Sequence, residues 1–176
     1  AKPGEQGFVG YGGECQSYGT NTSYLVWQRI WQDFFNLTAD TPVGKQSEFV
    51  GEQLQAINPA LLPRLPLLSA VLRLPIPDNE LTETFDAQLR KISLESLLVD
   101  CLRARAGDSA VLIVLEDCHW LDPLSFELLE ASCRAIADCP ILIVLAVRVP
   151  EVNRIQSAAF RQSSNSTEIR LNEFTA

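Results

Sequence analysis

Residues Val111–Pro123 read VLIVLEDCHWLDP, and in this stretch five aliphatic side chains run straight into two adjacent carboxylates, Glu116 and Asp117. A short apolar run without alternation suits a strand buried on both faces, as in a parallel sheet covered by helices. The strand is expected over Ala110–Leu115. In such sheets ligands bind beyond the carboxyl ends of the strands, where Glu116 and Asp117 emerge. Just downstream, Asp122 stands as N-cap with Pro123 at the first helical position, the place proline prefers. The helix is expected to reach about Ala137, carrying Leu124, Leu128, Leu129, Ala131, Ala135 and Ile136 on its apolar side. Pro140 opens a second buried strand, Ile141–Val147, which ends at Arg148. Strand, helix and strand at this spacing form a βαβ unit, and a parallel sheet follows.

Upstream, the glycine- and aromatic-rich residues 7–19 read as a weak strand near Phe8–Cys15. Trp27, Ile30, Trp31 and Phe34 then recur at helical spacing between Tyr24 and Phe35, with Thr22 or Ser23 as N-cap. That aromatic face reads as core packing. Residues 38–80 carry prolines too often for one long helix, so short pieces are expected at Glu48–Ile57 and Leu65–Leu72. A longer helix over about Thr84–Ala106 buries Leu89, Ile92, Leu97, Val99 and Leu102, with Gly107 as C-cap. After the polar SSNST loop, Ile169–Leu171 is expected as a last strand. The whole, residues 1–176, reads as one domain, with a strand and aromatic helix over 7–37 and a helical insertion over 38–107. The strand–helix–strand unit spans 108–150, and a loop and last strand span 151–176.

The hydrophobic fraction of 47% and charged fraction of 20% in 176 residues are a globular balance that argues against wholesale disorder. A net charge of −8 repels a phosphate backbone, so no nucleic-acid binding is expected of this segment. No run approaches the roughly 18 to 20 apolar residues that span a membrane, and no membrane association is expected. The absence of Met and of a signal-like start suggests a piece cut from a longer protein. Five cysteines without a C-x-x-C pair point to a reduced, cytoplasmic setting.

Hydrolysis of a γ-phosphate needs Mg²⁺ held through oxygen ligands and a positioned water. Of Glu116 and Asp117, one can orient the metal's water shell and the other can polarise the attacking water. The plainer alternative is a pair of solvated or loop-capping acids. Arg148 ends the next strand at the same sheet edge, where it either senses a terminal phosphate or pairs with Glu151 or a sheet-edge acid. His119, the only histidine, lacks partners for a metal site and is expected to hydrogen-bond beside the acids. Neither the glycines of GFVGYGGEC nor Gly44-Lys45-Gln46-Ser47 satisfies the G-x-x-x-x-G-K-[ST] pattern, so the chain carries no usable phosphate-binding loop.

The strings GECQSYGTNTSYLVWQRIW, LPLLSAVLRLPIPDNELT and VLIVLEDCHWLDPLSFELLE resemble the signalling ATPase domains of the STAND branch of AAA-type P-loop proteins. The match is to the kind found in bacterial adenylate/guanylate cyclase-like and LuxR-type multidomain regulators. The resemblance runs through the terminal EIRLNEFT. It implies a partial P-loop NTPase fold of the ASCE type: a three-layer α/β parallel sheet with helices on both faces, lacking the P-loop strand. It also implies ATP and Mg²⁺ as ligands of the parent protein, with none bound by this piece alone. In the Walker B string Glu116 matches the metal-side acid, where Asp is commoner, and Asp117 the acid nearest the attacking water. Arg148 matches the polar residue ending the next strand. On this reading the nucleotide state regulates other domains of the same polypeptide; the alternative is a non-catalytic interaction scaffold. The missing strand belongs between Ile141–Val147 and Ile169–Leu171, so that open edge is expected to self-associate or to take up a displaced C-terminal segment.

Overall fold

The computed structural model describes residues 7–38, 42–148 and 165–171. In chain order they form β1 (Phe8–Glu14), α1 (Leu25–Phe34), α2 (Val43–Ile57), α3 (Ser69–Leu72), α4 (Ala87–Asp108), β2 (Ala110–Glu116), α5 (Pro123–Ala135) and β3 (Ile141–Leu145). The three strands make one parallel sheet in the order β1-β2-β3. The expected α/β class, the parallel pairing and the three strand positions are therefore present.

That strand order decides which side of the sheet is covered. Both crossovers step the sheet in the same direction, and right-handed connections then place both sets of helices on the same face. Accordingly α1 packs on β1, α4 on β2, and α5 against α4 and α1. The covered face carries buried Tyr11, Val111, Ile113 and Leu115, with Gly13 among them. Across the sheet, Phe8 is 70%, Leu142 61% and Val144 41% exposed. The expectation of helices on both faces is corrected: among the described residues only one face is covered. A helix on the other side needs a connection that steps back across the sheet, and no described segment makes one.

The expected last strand also fails. Residues 166–171 have no regular structure, and Ile169 and Leu171 stand 80% and 92% exposed. With no described strand beyond β3, these residues have no ladder to join, and a three-residue apolar run cannot hold a strand alone.

Trp27, Ile30, Trp31 and Phe34 are fully buried, as their spacing implies. The Trp31 and Phe34 rings, and the Phe34 and Phe35 rings, each lie 5.0 Å apart. Burial of such side chains supplies about 1.5–3 kcal/mol each. Gly13 makes this packing possible, since a Cβ there would lie 2.5 Å from the Val26 carbonyl oxygen. Within the glycine run of β1 it is Gly13 that serves helix-on-strand contact, while a Cβ at Gly12 would meet nothing within 4 Å.

Several boundaries move. Helix α1 is preceded by Tyr24 in a left-handed conformation (φ 59), in place of a capping Thr22 or Ser23. Helix α2 begins at Val43 and takes in Gly44–Ser47. Pro59–Leu68 is a 3-10 helix leading into α3, the form that tolerates Pro63 and Pro66. Helix α4 runs through Gly107 to Asp108 and buries Leu94, Leu97, Leu98, Cys101 and Leu102, while Leu89 and Ile92 are 43% and 50% exposed. Its first turns expose Leu89 and Ile92, and the later i, i+3, i+4 stripe meets the core.

The proline-rich connection is held by polar contacts. Arg90 bridges Asp78 at 2.7 Å and donates to the Thr82 carbonyl at 2.7 Å, and the Asn79 side-chain NH₂ donates to the Pro63 carbonyl at 2.8 Å. The Arg90 guanidinium, and then the Thr82 hydroxyl, hold the Asp78 carboxyl below its usual range. Arg64 reaches Asp100 of α4 at 2.8 Å.

Candidate functional site at the carboxyl ends of the strands

The parallel register pairs Glu14 with Glu116 at the last rung of the β1–β2 ladder, and both side chains are exposed. Past that rung Asp117 adopts φ 52, ψ 40, a left-handed conformation that Asp tolerates better than most residues. The reversal starts a short 3-10 turn, Cys118–Trp120, and Asp122 then opens α5.

Two expected site residues do meet. Arg148, beyond the end of β3, brings its Nε to 3.3 Å from Asp117 Oδ1. The arginine is 75% exposed and the aspartate 31%, so the pair is open to solvent and contributes little to stability. This is the sheet-edge pairing foreseen as the plainer role of Arg148. The pairing with Glu151 lies outside the described residues. Glu116 stands beside this pair on the exposed end of β2. His119 has a buried side chain with Nδ1 3.9 Å from Asp117 Oδ1, beyond hydrogen-bond reach, and its ring lies 5.0 Å from that of Trp120.

The turn is fastened from below. Asp122, 4% exposed, accepts hydrogen bonds at Oδ1 from the Ser125 amide at 3.0 Å and from the Tyr24 amide at 3.3 Å. Its Oδ2 accepts from the Ser125 hydroxyl. The Trp27 indole N–H donates to the Ser125 carbonyl at 3.1 Å. The start of α1 is thereby locked to the start of α5 beneath the acids. Sequence reasoning identified the Asp122 cap but missed its second partner, because Tyr24 lies 98 residues away. The neighbouring Cys15 and Cys118 thiols were missed too. Interaction with the Cys15 thiol, and then burial, push the Cys118 thiol well above its ordinary range. A signal for them existed, since both strands end in acid followed by cysteine.

These residues suit the outer water shell of a hard cation, which carboxylate oxygens favour. Among the described residues no group of three or more His, Cys, Asp or Glu side chains gathers to hold a metal ion unaided. Gly44–Ser47 lies within α2, where the Lys45 and Gln46 amides already donate to the Pro42 carbonyl at 2.8 and 3.2 Å. It is no phosphate cradle, as its sequence implied. No helix of the described residues is long and apolar enough to cross a membrane. No family model, curated protein or solved structure matches the chain.

Proposed function

We propose that this chain is the Walker B half of an ATP-binding signalling switch of the STAND/AAA type, acting within a cytoplasmic parent protein. Its phosphate-binding loop would come from polypeptide outside these residues, and its nucleotide state would regulate an attached effector such as a nucleotide cyclase or a transcription regulator. The observation that supports this reading is the placement of Glu116 and Asp117 at the carboxyl end of β2, with Arg148 just beyond the adjacent parallel β3. The carboxyl ends of parallel strands are the side on which sheets of this kind take their ligands. Mg²⁺ bound with ATP would supply charge neutralisation of the phosphates. Glu116 would orient the metal's water shell and Asp117 the attacking water, while Arg148, released from Asp117, would turn to the terminal phosphate.

Calorimetric titration with Mg-ATP tests this on two proteins, the present chain and a form extended by a G-x-x-x-x-G-K-[ST] loop on its strand. Affinity is expected only in the extended form, and Asp117→Asn there should lower turnover roughly a hundredfold while sparing binding. Tight, specific ATP binding by the present chain, or full turnover by Asp117→Asn, would sink the proposal. The uncovered sheet face, with Leu142 and Val144 exposed, favours a second reading as a non-catalytic interaction scaffold. An extended form that binds no nucleotide would support that one.

A further inference from the structure

The uncovered face of the sheet is graded in height. The register puts Gly10, Leu112 and Leu142 on one rung and Gly12, Val114 and Val144 on another, all on this face. Each rung climbs from bare backbone on β1, through a half-buried side chain on β2, to an exposed one on β3. A Cβ at Gly12 would meet nothing within 4 Å, and one at Gly10 only the Phe8 ring at 3.9 Å. No packing within the chain therefore asks for glycine at either position. Toward the amino ends of the strands the face is hollowed to about 500 Å³ between Phe8, Ala110, Pro140 and Leu142.

A surface of this shape is complementary to itself. Consider a two-fold axis that runs along β2, midway between two facing sheets. It lays β1 of each copy over β3 of the other and keeps every rung at its own height along the strands. Leu142 of one copy then stands over Gly10 of the other, and Val144 over Gly12, while Leu112 and Val114 meet their own counterparts near the axis. Exposed Phe8, paired with Ala110, passes over Pro140 and enters the facing hollow. Facing sheets keep their strand directions within about 30°, so sheet twist preserves these contacts near the axis. A two-fold axis across the strands instead sets glycine against glycine and the β3 side chains against each other.

We propose that this face is the contact between two copies of the chain, closed by a two-fold axis along the strands. Its area sets its strength. Strands β1 and β2 have seven residues each. Such strands give a face of roughly 23 by 14 Å, or about 300 Å² of plane per copy. Two copies bury less than the about 1,200–2,000 Å² of a stable complex, so the dimer is weak and reversible. The axis also gathers the Glu14–Glu116 rungs of both copies at one end, and each chain carries a net charge of −8, so salt tightens the pair. The inference rests on the sheet face alone and stands whether or not the strand ends serve a nucleotide.

Sedimentation velocity over a range of concentrations tests it. The unsubstituted chain should pass reversibly from monomer to dimer, and the dimer should weaken as salt is lowered. Gly12→Leu fills the gap and should abolish the dimer even though it makes the face more apolar. A Gly12→Leu dimer as tight as the original would mean unspecific adhesion and overturns the proposal. Gly10→Leu and Leu142→Gly should each lose the dimer, and the two together, which move the protruding side chain from β3 to β1, should restore it. A double variant no better than the single ones overturns it too. Should a variant fail to fold, the unsubstituted chain decides by nuclear magnetic resonance. Its concentration-dependent methyl shifts should fall on Leu112, Val114, Leu142 and Val144 and spare Ile143 and Leu145. A chain that stays monomeric throughout, or shifts at Ile143 and Leu145 as from pairing along the outer edge of β3, refutes the contact.

Discussion

Replacing Asp122 by alanine removes a buried side chain that serves three donors on two helices, and its cost can be built up from those contacts. Loss of the α5 cap costs about 1 kcal/mol. The Tyr24 amide, buried and deprived of its acceptor, adds about 1–3 kcal/mol. The Ser125 hydroxyl loses a charged acceptor in a fully buried position and adds about 1 kcal/mol more. These groups touch one another, so the terms overlap, and the total is expected below their plain sum, at about 2–4 kcal/mol. Asp122→Asn makes a sharper comparison. Its amide oxygen keeps both backbone donors, and its NH₂ meets a hydroxyl that can rotate to accept. Only the charge is lost, at about 1 kcal/mol. Urea unfolding followed by fluorescence reads both changes, because Trp27 and Trp31 are buried in the native state. Equal costs for the two variants, or less than about 1 kcal/mol for alanine, would refute the assigned role.

Tyr24 predicts an alkaline transition. Burial, followed by Glu95, Asp122 and Glu127, raises its hydroxyl from 10.0 to about 12. The folded state holds this proton more tightly, so the contribution is complete below pH 10 and is lost as pH rises toward 12. Its size is about 2–3 kcal/mol. Tyr24→Phe should flatten that part of the urea-midpoint profile; an unchanged slope would count against it. The one-sided sheet predicts that Val144→Lys and Leu142→Lys shift stability by less than about 0.5 kcal/mol, whereas Ile113→Ala costs about 2–5 kcal/mol. Thermal melts by circular dichroism check the contrast, and a lysine as costly as the Ile113 truncation would mean that the face is covered.

The amino-acid sequence alone determined the local elements and the placing of Glu116 and Asp117 at the carboxyl end of a buried strand. Ala110–Leu115 and Ile141–Val147 are too short and too apolar to be surface helices, and Asp122-Pro123 marks the helix between them. Trp27, Ile30, Trp31 and Phe34 define a buried helical face because their spacing matches one turn of an α-helix. The acids at the end of β2 followed from the polarity of parallel sheets. The insertion was less legible, since prolines tolerated in a 3-10 helix look like breaks when an α-helix is sought.

Tertiary structure alone decided the rest. Apolar Leu142 and Val144 carry the same local signature as buried Ile113, yet they face solvent, because the hand and direction of two crossovers choose the covered side. Leu89 and Leu98 lie on one helix, and only the second meets the core. Asp122 finds Tyr24, and the Cys15 amide finds the Glu116 carbonyl, across about a hundred residues. Periodicity encodes what a side chain does relative to its own backbone, whereas these contacts depend on how distant segments are brought together by packing.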